Sequence, residues 1–427
     1  MLDPRGGLAG ELAQRAAPRP GTGEGSRPSK RALAAAAGAV ERASADWSKA
    51  PKAVGAVARD RSLGSRDRRA ATDLAWEVVR WRRLLERLVG TEPRDLVRAA
   101  AVLLADAPED LLAPELRGPL RDPAHELLGD VLLHGADEAT TLGVATSLPD
   151  WFAARLLAEH PVDEAIVLAR ALLERAPLTL RVHRDRADRD AVAAELAAAG
   201  VESTVSALAP DALTLDGHVN VRSLGPVQRS EASVQDAGSQ AVVELVGATP
   251  GMRVLDACAG AGGKTLALAS AGARVLGTDV RKDALGEGMR RAREAGVSDR
   301  VRLLPIPPTG PLPDALFKSP ADAVLVDAPC TGSGALRREP HARWSRSPLE
   351  LERMPKRQRA ILARFAPAVA EGGALVYATC SLFGPENRDV VDAFLGDHPE
   401  FSLEEERTWR PDRDGCDGFY AARLRRG

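Results

Sequence analysis

From Gln240 onward, strand-length apolar runs alternate with helix-length amphipathic ones, and this alternation limits the possible folds more than any other feature of the chain. QAVVELVG reads as a helix, RVLDAC as a strand, GGKTLALASAG as a helix, RVLGTDV as a strand and ALGEGMRRAREAG as a helix. RVRLLPI, ADAVLVDAP and GALVYATCS follow as further strands. Parallel strands need a crossover, and a helical crossover covers one face of the sheet. Repeated β–α units therefore specify a parallel sheet with helices on both faces. In such a sheet, ligands gather at the C-terminal strand ends.

The first of these strand ends carries Ala259-Gly260-Ala261-Gly262-Gly263-Lys264-Thr265. A glycine-rich turn lets backbone approach a ligand and aims a helix N-terminus at it. A Walker A phosphate loop would need glycine where Cys258 stands, so Gly263-Lys264-Thr265 does not complete one. A dinucleotide fingerprint fails at Thr265. What remains is Asp256 at one strand end and Asp279 at the next, about 23 positions on, a spacing suited to a carboxylate on ribose hydroxyls. S-adenosylmethionine, which has a ribose and no phosphate, fits this pairing. A purely structural turn in an ordinary α/β domain is the competing reading.

Two later strand ends each deliver a thiol to the same rim. VLVDAPCTGSG places Asp327 and Cys330 after one strand, and LVYATCSLFGPEN places Thr379 and Cys380 after another. A lone cysteine usually reads as packing, but two at strand ends, one following Asp-x-Pro, weaken that reading. The parts suit cytosine chemistry. Carbon 5 of cytosine is too weak a nucleophile to attack a sulfonium methyl, and a thiolate added at carbon 6 makes it enamine-like. A carboxyl group at the ring nitrogen, for which Asp327 is placed, can absorb the developing charge.

The remainder of the chain has a different texture. Residues 1–27 are rich in Gly, Pro, Ala and Arg and read as a flexible tail. Residues 28–148 read as an all-α module. Its clearest helix, SRDRRAATDLAWEVVRWRRLLERLV, has Leu74, Ala75, Val78, Val79, Trp81, Leu84, Leu85 and Leu88 near the helical period and Ser65 as its expected N-cap. Residues 149–235, with the helical runs WFAARLLAEH, EAIVLARALLERA and DAVAAELAAAG and the strands LTLRVH and ALTLDG, read as a small α+β module, and 236–427 as the parallel α/β domain.

The formal net charge is −2, which argues against a generic polyanion binder, yet its distribution is uneven. By sign count, residues 1–100 balance at about +8, 101–250 at about −13 and 251–427 at about +3. The stretch 337–359 is locally basic, so a nucleic-acid contact could use it with the N-terminal region. Solvated helix faces would produce the same counts. No apolar run long enough for a transmembrane helix occurs, and MLDPRGGLAGELAQR has no signal core. The cysteines Cys258, Cys330, Cys380 and Cys416 form no CxxC pair, so neither a zinc site nor a disulfide scaffold is expected. A cytoplasmic, monomeric protein with no metal and no membrane partner is the expectation.

Taken together, DACAGAGGKT, DAPCTGSGALRREPHARW, YATCSLFGPEN and VQDAGSQ resemble the motifs of the Sun/Fmu family of RNA cytosine-C5 methyltransferases, in its bacterial 16S rRNA, RsmB-type branch. The resemblance is strong over about 230–427, fair over 150–230 and weak over 28–145. It implies a multi-domain protein with a NusB-like all-α N-terminal domain, an α+β linker domain that contacts RNA, and a Rossmann-like class I S-adenosylmethionine-dependent methyltransferase domain. It further implies Cys380 as nucleophile, Cys330 as the group assisting product release, Asp327 on the cytosine and Lys264 beside them. Asp256, Ala257, Cys258, Ala259, Gly260, Ala261, Gly262, Lys264, Asp279 and Asp327 would line the cofactor. Arg337 and Arg338 would meet RNA phosphates. Trp344 and Phe383 are possible base-stacking residues, with packing as the alternative for each. Cys416 reads as structural.

Two departures from the family pattern stand out. Gly260-Ala261 replace the usual Ala-Pro of the loop, and Leu304-Pro305-Ile306-Pro307 lacks the usual carboxylate after the third strand. They motivate an alternative: a non-catalytic RNA-binding or ribosome-assembly factor on a methyltransferase scaffold. Calorimetry with S-adenosylmethionine separates the two.

Overall fold

A computed structural model describes residues 7–18, 25–217 and 219–427. By packing, the chain divides into two units. One holds the described residues up to Arg175 together with Leu336–Pro348, and the other holds Ala176–Ala335 with Leu349–Gly427.

The first unit is helical: α1 (Gly7–Ala16), α2 (Lys30–Ser44), α3 (Ala50–Ala58), α4 (Ser65–Val89), α5 (Pro93–Leu104), α6 (Pro114–Arg121), α7 (Pro123–His134), α8 (Glu138–Ala145), α9 (Asp150–Glu159) and α10 (Val162–Ala171). Capping follows local chemistry. Ser29, Asp122 and Asp137 each accept a bond from the first turn of α2, α7 and α8, and Gly135 closes α7 at φ +66°. Residues 7–16 correct the expectation of a flexible tail: Ala9, Leu12, Ala13 and Ala16 make an i, i+3, i+4, i+7 stripe that is buried, and α1 packs on α7 and α8. Residues 1–6 and 19–24 of that expectation lie outside the described residues. The helices at 150–171, expected in the α+β module, belong to this unit, with Leu156, Leu168 and Leu172 fully buried.

Helix α4 buries the expected stripe, but it starts one residue earlier in its cap than expected. Gly64 takes the N-cap position and Ser65 is the first helical residue. Trp81 is only half-buried, because the backbone kinks there (φ −103°, ψ 16°). The kink frees polar groups that other segments satisfy. The Leu84 N–H donates to Ser147 Oγ at 3.1 Å, the Arg80 carbonyl accepts from Arg343 Nη1 at 3.1 Å, and the Val79 carbonyl accepts from Trp344 Nε1 at 2.8 Å. The segment Leu336–Pro348 is thus stitched into the helical unit.

The second unit contains β1 (Leu178–Val182), α11 (Arg189–Ala198), β2 (Ser203–Val205), β3 (Ala212–Leu215), α12 (Gly225–Gln228), β4 (Ala232–Val234), α13 (Ala237–Val246), β5 (Arg253–Asp256), α14 (Gly263–Ser270), β6 (Arg274–Asp279), α15 (Lys282–Glu294), β7 (Val301–Pro305), β8 (Ala321–Asp327), α16 (Pro348–Phe365), β9 (Val369–Thr379), α17 (Arg388–Asp397), β10 (Phe401–Trp409) and β11 (Phe419–Arg426). The first four strands pair antiparallel in the order β2-β3-β1-β4. The larger sheet runs β10-β11-β9-β8-β5-β6-β7. Strands β7, β6, β5, β8 and β9 are parallel, and β11 and β10 complete it antiparallel, so the sheet is mixed and Rossmann-like.

Residue alternation on β8 shows why the sheet is covered on both sides. Ala323 and Leu325 enter one apolar cluster with α13 and α14, while Val324 and Val326 enter the other with α16 and α17. Strand order reverses between β5 and β8, which opens a crevice at their C-terminal ends.

Candidate active site

A cleft of about 990 Å³ lies at those strand ends. Asp256, Ala257, Cys258, Ala259, Gly260, Ala261, Lys264, Asp279 and Asp327 line it, as do Gln235 and Ser239 at the start of α13 and Arg357, Ile361 and Arg364 on α16. Gly262 shapes the turn instead. It sits at φ +81°, where only glycine is relaxed, and a Cβ there would meet the Gly288 backbone at 3.4 Å. Gly260 also takes a positive φ (+54°), which turns its N–H onto Asp279 Oδ2 at 2.8 Å. The replacement of Ala-Pro by Gly260-Ala261 therefore keeps a tight loop.

Each carboxylate has a distinct environment. Asp256 is buried; Thr265 Oγ1 donates to its Oδ2 at 2.7 Å, while Oδ1 has no hydrogen-bond partner of good geometry among the described residues. Burial outweighs that hydrogen bond and, with the charge of Asp327, pushes the Asp256 carboxyl up to about 6. Burial also acts on Asp279, but bonds from the Arg281 N–H and guanidinium and from the Gly260 N–H prevail and hold it below the usual range. Burial pushes the Cys258 thiol up, with Asp256 adding to it, so Cys258 stays protonated and serves as a wall.

Lys264 reaches from the first turn of α14 to Asp327, at the end of β8, with Nζ to Oδ2 at 2.6 Å. Burial alone would lower this ammonium. Asp327 outweighs burial, so the lysine lies above its ordinary value and keeps its proton. Neither Cys330 nor Cys380 lines the cleft itself, but they lie together: Cys330 Sγ and Cys380 Sγ are 3.3 Å apart and both residues are half-buried. The hydrogen bond to Cys380, then burial, push Cys330 well above the ordinary thiol value. Charge on Cys380 also bears on Lys264, so the two sulfurs and the ion pair form one electrostatic unit.

Strand ends alone do not bring the sulfurs together. The loops carrying them are joined by Glu386, which is fully buried between β9 and α17. Its Oε1 accepts from the Thr331 N–H at 2.8 Å and from Gln358 Nε2 at 3.2 Å; its Oε2 accepts from Thr331 Oγ1 at 2.5 Å and Ser381 Oγ at 2.6 Å. Gln358 also donates to the Pro329 carbonyl at 3.0 Å, and the Gly334 N–H donates to the Cys380 carbonyl at 3.0 Å. Asn387 holds Thr379 Oγ1 at 2.6 Å. Sequence reasoning missed this network, although Glu386 and Asn387 stand within the YATCSLFGPEN run.

Of the four expected RNA-contact residues, Arg337, Trp344 and Phe383 are taken up in packing. Arg337 is buried in the helical unit and donates to the Arg175 carbonyl, which corrects its expected place at an RNA phosphate. Trp344 is bonded to Val79 and covered by the Arg82 guanidinium 5.1 Å from its ring, so its faces are engaged in packing. Arg338 is exposed. Phe383 is fully buried and is a packing residue, as is Cys416, whose Sγ donates to the Asp417 carbonyl.

Residues 244–425 match the family described as 16S rRNA methyltransferase RsmB/F, and residues 148–222 match the ferredoxin-like domain of the RsmF/B-like methyltransferases. The chain is 36% identical over 270 residues to ribosomal RNA small subunit methyltransferase B of Sodalis glossinidius, covering 60% of this chain and 59% of that one. It is 34% identical over 291 residues to the protein of the same name from Xylella fastidiosa strain 9a5c, covering 65% and 68% respectively. The chain spans about three fifths to two thirds of the length of the curated relatives it matches. Its fold is shared with the crystal structure of PH0851, at a TM-score of 0.74 and 24% identity, over 94% of this chain and 100% of that one.

Proposed function

The chain belongs to the RsmB/F family of 16S rRNA methyltransferases, and from that premise we propose that it methylates carbon 5 of a cytosine in 16S rRNA through a transient bond to Cys380. The carrying observation is the pair of sulfurs 3.3 Å apart, at the ends of adjacent parallel strands, beside the Lys264–Asp327 ion pair.

S-adenosylmethionine supplies an electrophilic methyl group when bound, and the cleft suits it. Two acceptors in its wall, Asp256 Oδ1 and Gln235 Oε1, are buried without partners among the described residues, which fits an ammonium group. Asp279, ionised at the end of β6, fits the ribose hydroxyls.

The chain's own residues divide the work as follows. Two thiols this close do not readily carry two charges. Cys330 lies well above the ordinary thiol value and keeps its proton, so it is the member of the pair that can offer a hydrogen bond to the other sulfur 3.3 Å away. The Cys380 thiolate adds to carbon 6, and Asp327 passes a proton to the ring nitrogen while drawing one from Lys264. Carbon 5 then takes the methyl group. Once Cys380 is bonded to carbon, the largest influence raising Cys330 is gone, and a Cys330 that has passed its proton to solvent is placed to act as a base. The ring nitrogen returns its proton through Asp327 to Lys264, Cys330 takes the carbon 5 proton, the C5=C6 bond re-forms, and the C6–S bond breaks with its electrons returning to Cys380. The helical unit, read as NusB-like, and the small antiparallel sheet would hold the RNA, and the target base must leave its stack to react.

The test uses the intact protein, a 16S rRNA transcript and labelled S-adenosylmethionine. Cys380→Ala should lose all methyl transfer while still binding S-adenosylhomocysteine in calorimetry, and Cys330→Ala should accumulate a denaturant-stable protein–RNA adduct. An adduct from Cys380→Ala alone would reverse the two roles. Absence of cofactor binding by the unmodified protein would leave the scaffold reading instead.

A further inference from the structure

We propose that Glu386 is a positioning residue for the thiol pair, holding Cys330 where it can release the product from Cys380. The consequence for catalysis rests on the reading above; the placement does not. Among the described contacts, the Glu386 carboxylate accepts four hydrogen bonds, and they come from both thiol-bearing loops and from α16. Thr331 directly follows Cys330, and Ser381 directly follows Cys380. Gln358, through its second bond to the Pro329 carbonyl, fixes the other side of Cys330. One buried group therefore brackets one sulfur and anchors the other, without itself touching either.

This arrangement is more than filler. A 3.3 Å separation between side chains on two different loops is easily lost. A shift of about 1 Å in a reacting group can cost on the order of a hundredfold in rate. The geometry also separates charge from shape. In Glu386→Gln, the remaining carbonyl oxygen can face the Thr331 N–H and Gln358, and the new amide can donate to the two hydroxyls, which can rotate to accept. Glu386→Ala removes every link at once.

Phenylarsine oxide measures the thiol spacing without RNA: one arsenic replaces its oxygen with two protein sulfurs and releases one water. The unmodified protein should bind one equivalent that a monothiol does not displace, and Cys330→Ala should not. Glu386→Ala should weaken that binding at least tenfold, and Glu386→Gln by less than threefold, with S-adenosylhomocysteine affinity unchanged in both. With RNA and S-adenosylmethionine, Glu386→Ala should accumulate the adduct expected of Cys330→Ala, and Glu386→Gln should turn over without it. If Glu386→Ala does not fold, Gln358→Met, which removes the single donor shared by Pro329 and Glu386, should weaken arsenical binding severalfold. Unchanged arsenical binding in a folded Glu386→Ala or Gln358→Met overturns the positioning role. Failure of the unmodified protein and of Cys330→Ala to form any adduct would instead overturn the methyl-transfer reading, and the arsenical comparison would still decide the placement.

Discussion

The two units differ in what their buried charge is used for. The helical unit buries arginines. Arg343, which is 1% exposed, directs its guanidinium at the carbonyls of Arg80, Ser147, Leu172 and Leu336, and Arg80 does the same at Leu173. Burial and the neighbouring Arg80 lower Arg343 to about 9, still charged at neutral pH. The other unit buries Arg181 and Arg410 as well, but at its strand ends it buries the carboxylates Asp256 and Glu386. Glu386 is saturated with donors, whereas Asp256 keeps an unpartnered oxygen in the wall of a cleft. The buried arginines of the helical unit direct their terminal nitrogens at backbone carbonyls, whereas the open acceptor of Asp256 faces a cleft. The contrast separates structure from function better than sign or burial does.

The contrast makes unequal predictions for the two units. Arg343→Met should be the most damaging outside the thiols. It strands several carbonyls in the helical unit and should cost on the order of 3 kcal/mol in urea unfolding, while S-adenosylhomocysteine affinity stays within twofold. A drop in that affinity parallel to the stability loss would break the distinction. Asp256→Asn should act the other way, with modest effect on unfolding and a clear effect on the cleft. With its pKa raised to about 6, Asp256 is protonated below that pH and ionised above it. An ammonium prefers the ionised form, so calorimetric affinity for S-adenosylhomocysteine should rise about tenfold from pH 5 to 7. Asp256→Asn should flatten that rise. The smallest effect belongs to Arg338, the exposed member of its pair. Arg338→Ala should weaken rRNA binding about two- to threefold and reduce the salt slope by roughly one. Arg337→Ala should appear in stability instead, and a larger salt effect there would reverse the assignment.

What the sequence disclosed tracks the range of the interactions involved. Period and spacing place β5, the glycine turn, Asp279 and both thiols at one rim, because parallel β–α units put every strand end on the same side. The stripe of α1 was overlooked because its Gly, Pro and Arg surroundings outweighed four small apolar residues. Arg337 and Trp344 look like surface recognition residues within a basic stretch. Nothing local signals that the backbone between β8 and α16 joins the helical unit. Glu386 was legible only as part of a motif. Its meaning depends on four donors from separate segments, and hydrogen bonds among short polar side chains have no period to read.

The excursion of Leu336–Pro348 bears on how this protein can be dissected. A single cut near Arg175 would leave the downstream fragment carrying Arg343 with only the Leu336 carbonyl to receive it, and the upstream fragment with a gap at the bend of α4. The two halves are therefore not interchangeable beads on a thread. Neither can be exchanged, inherited or produced alone without rewriting the thirteen-residue thread that leaves one and closes the other.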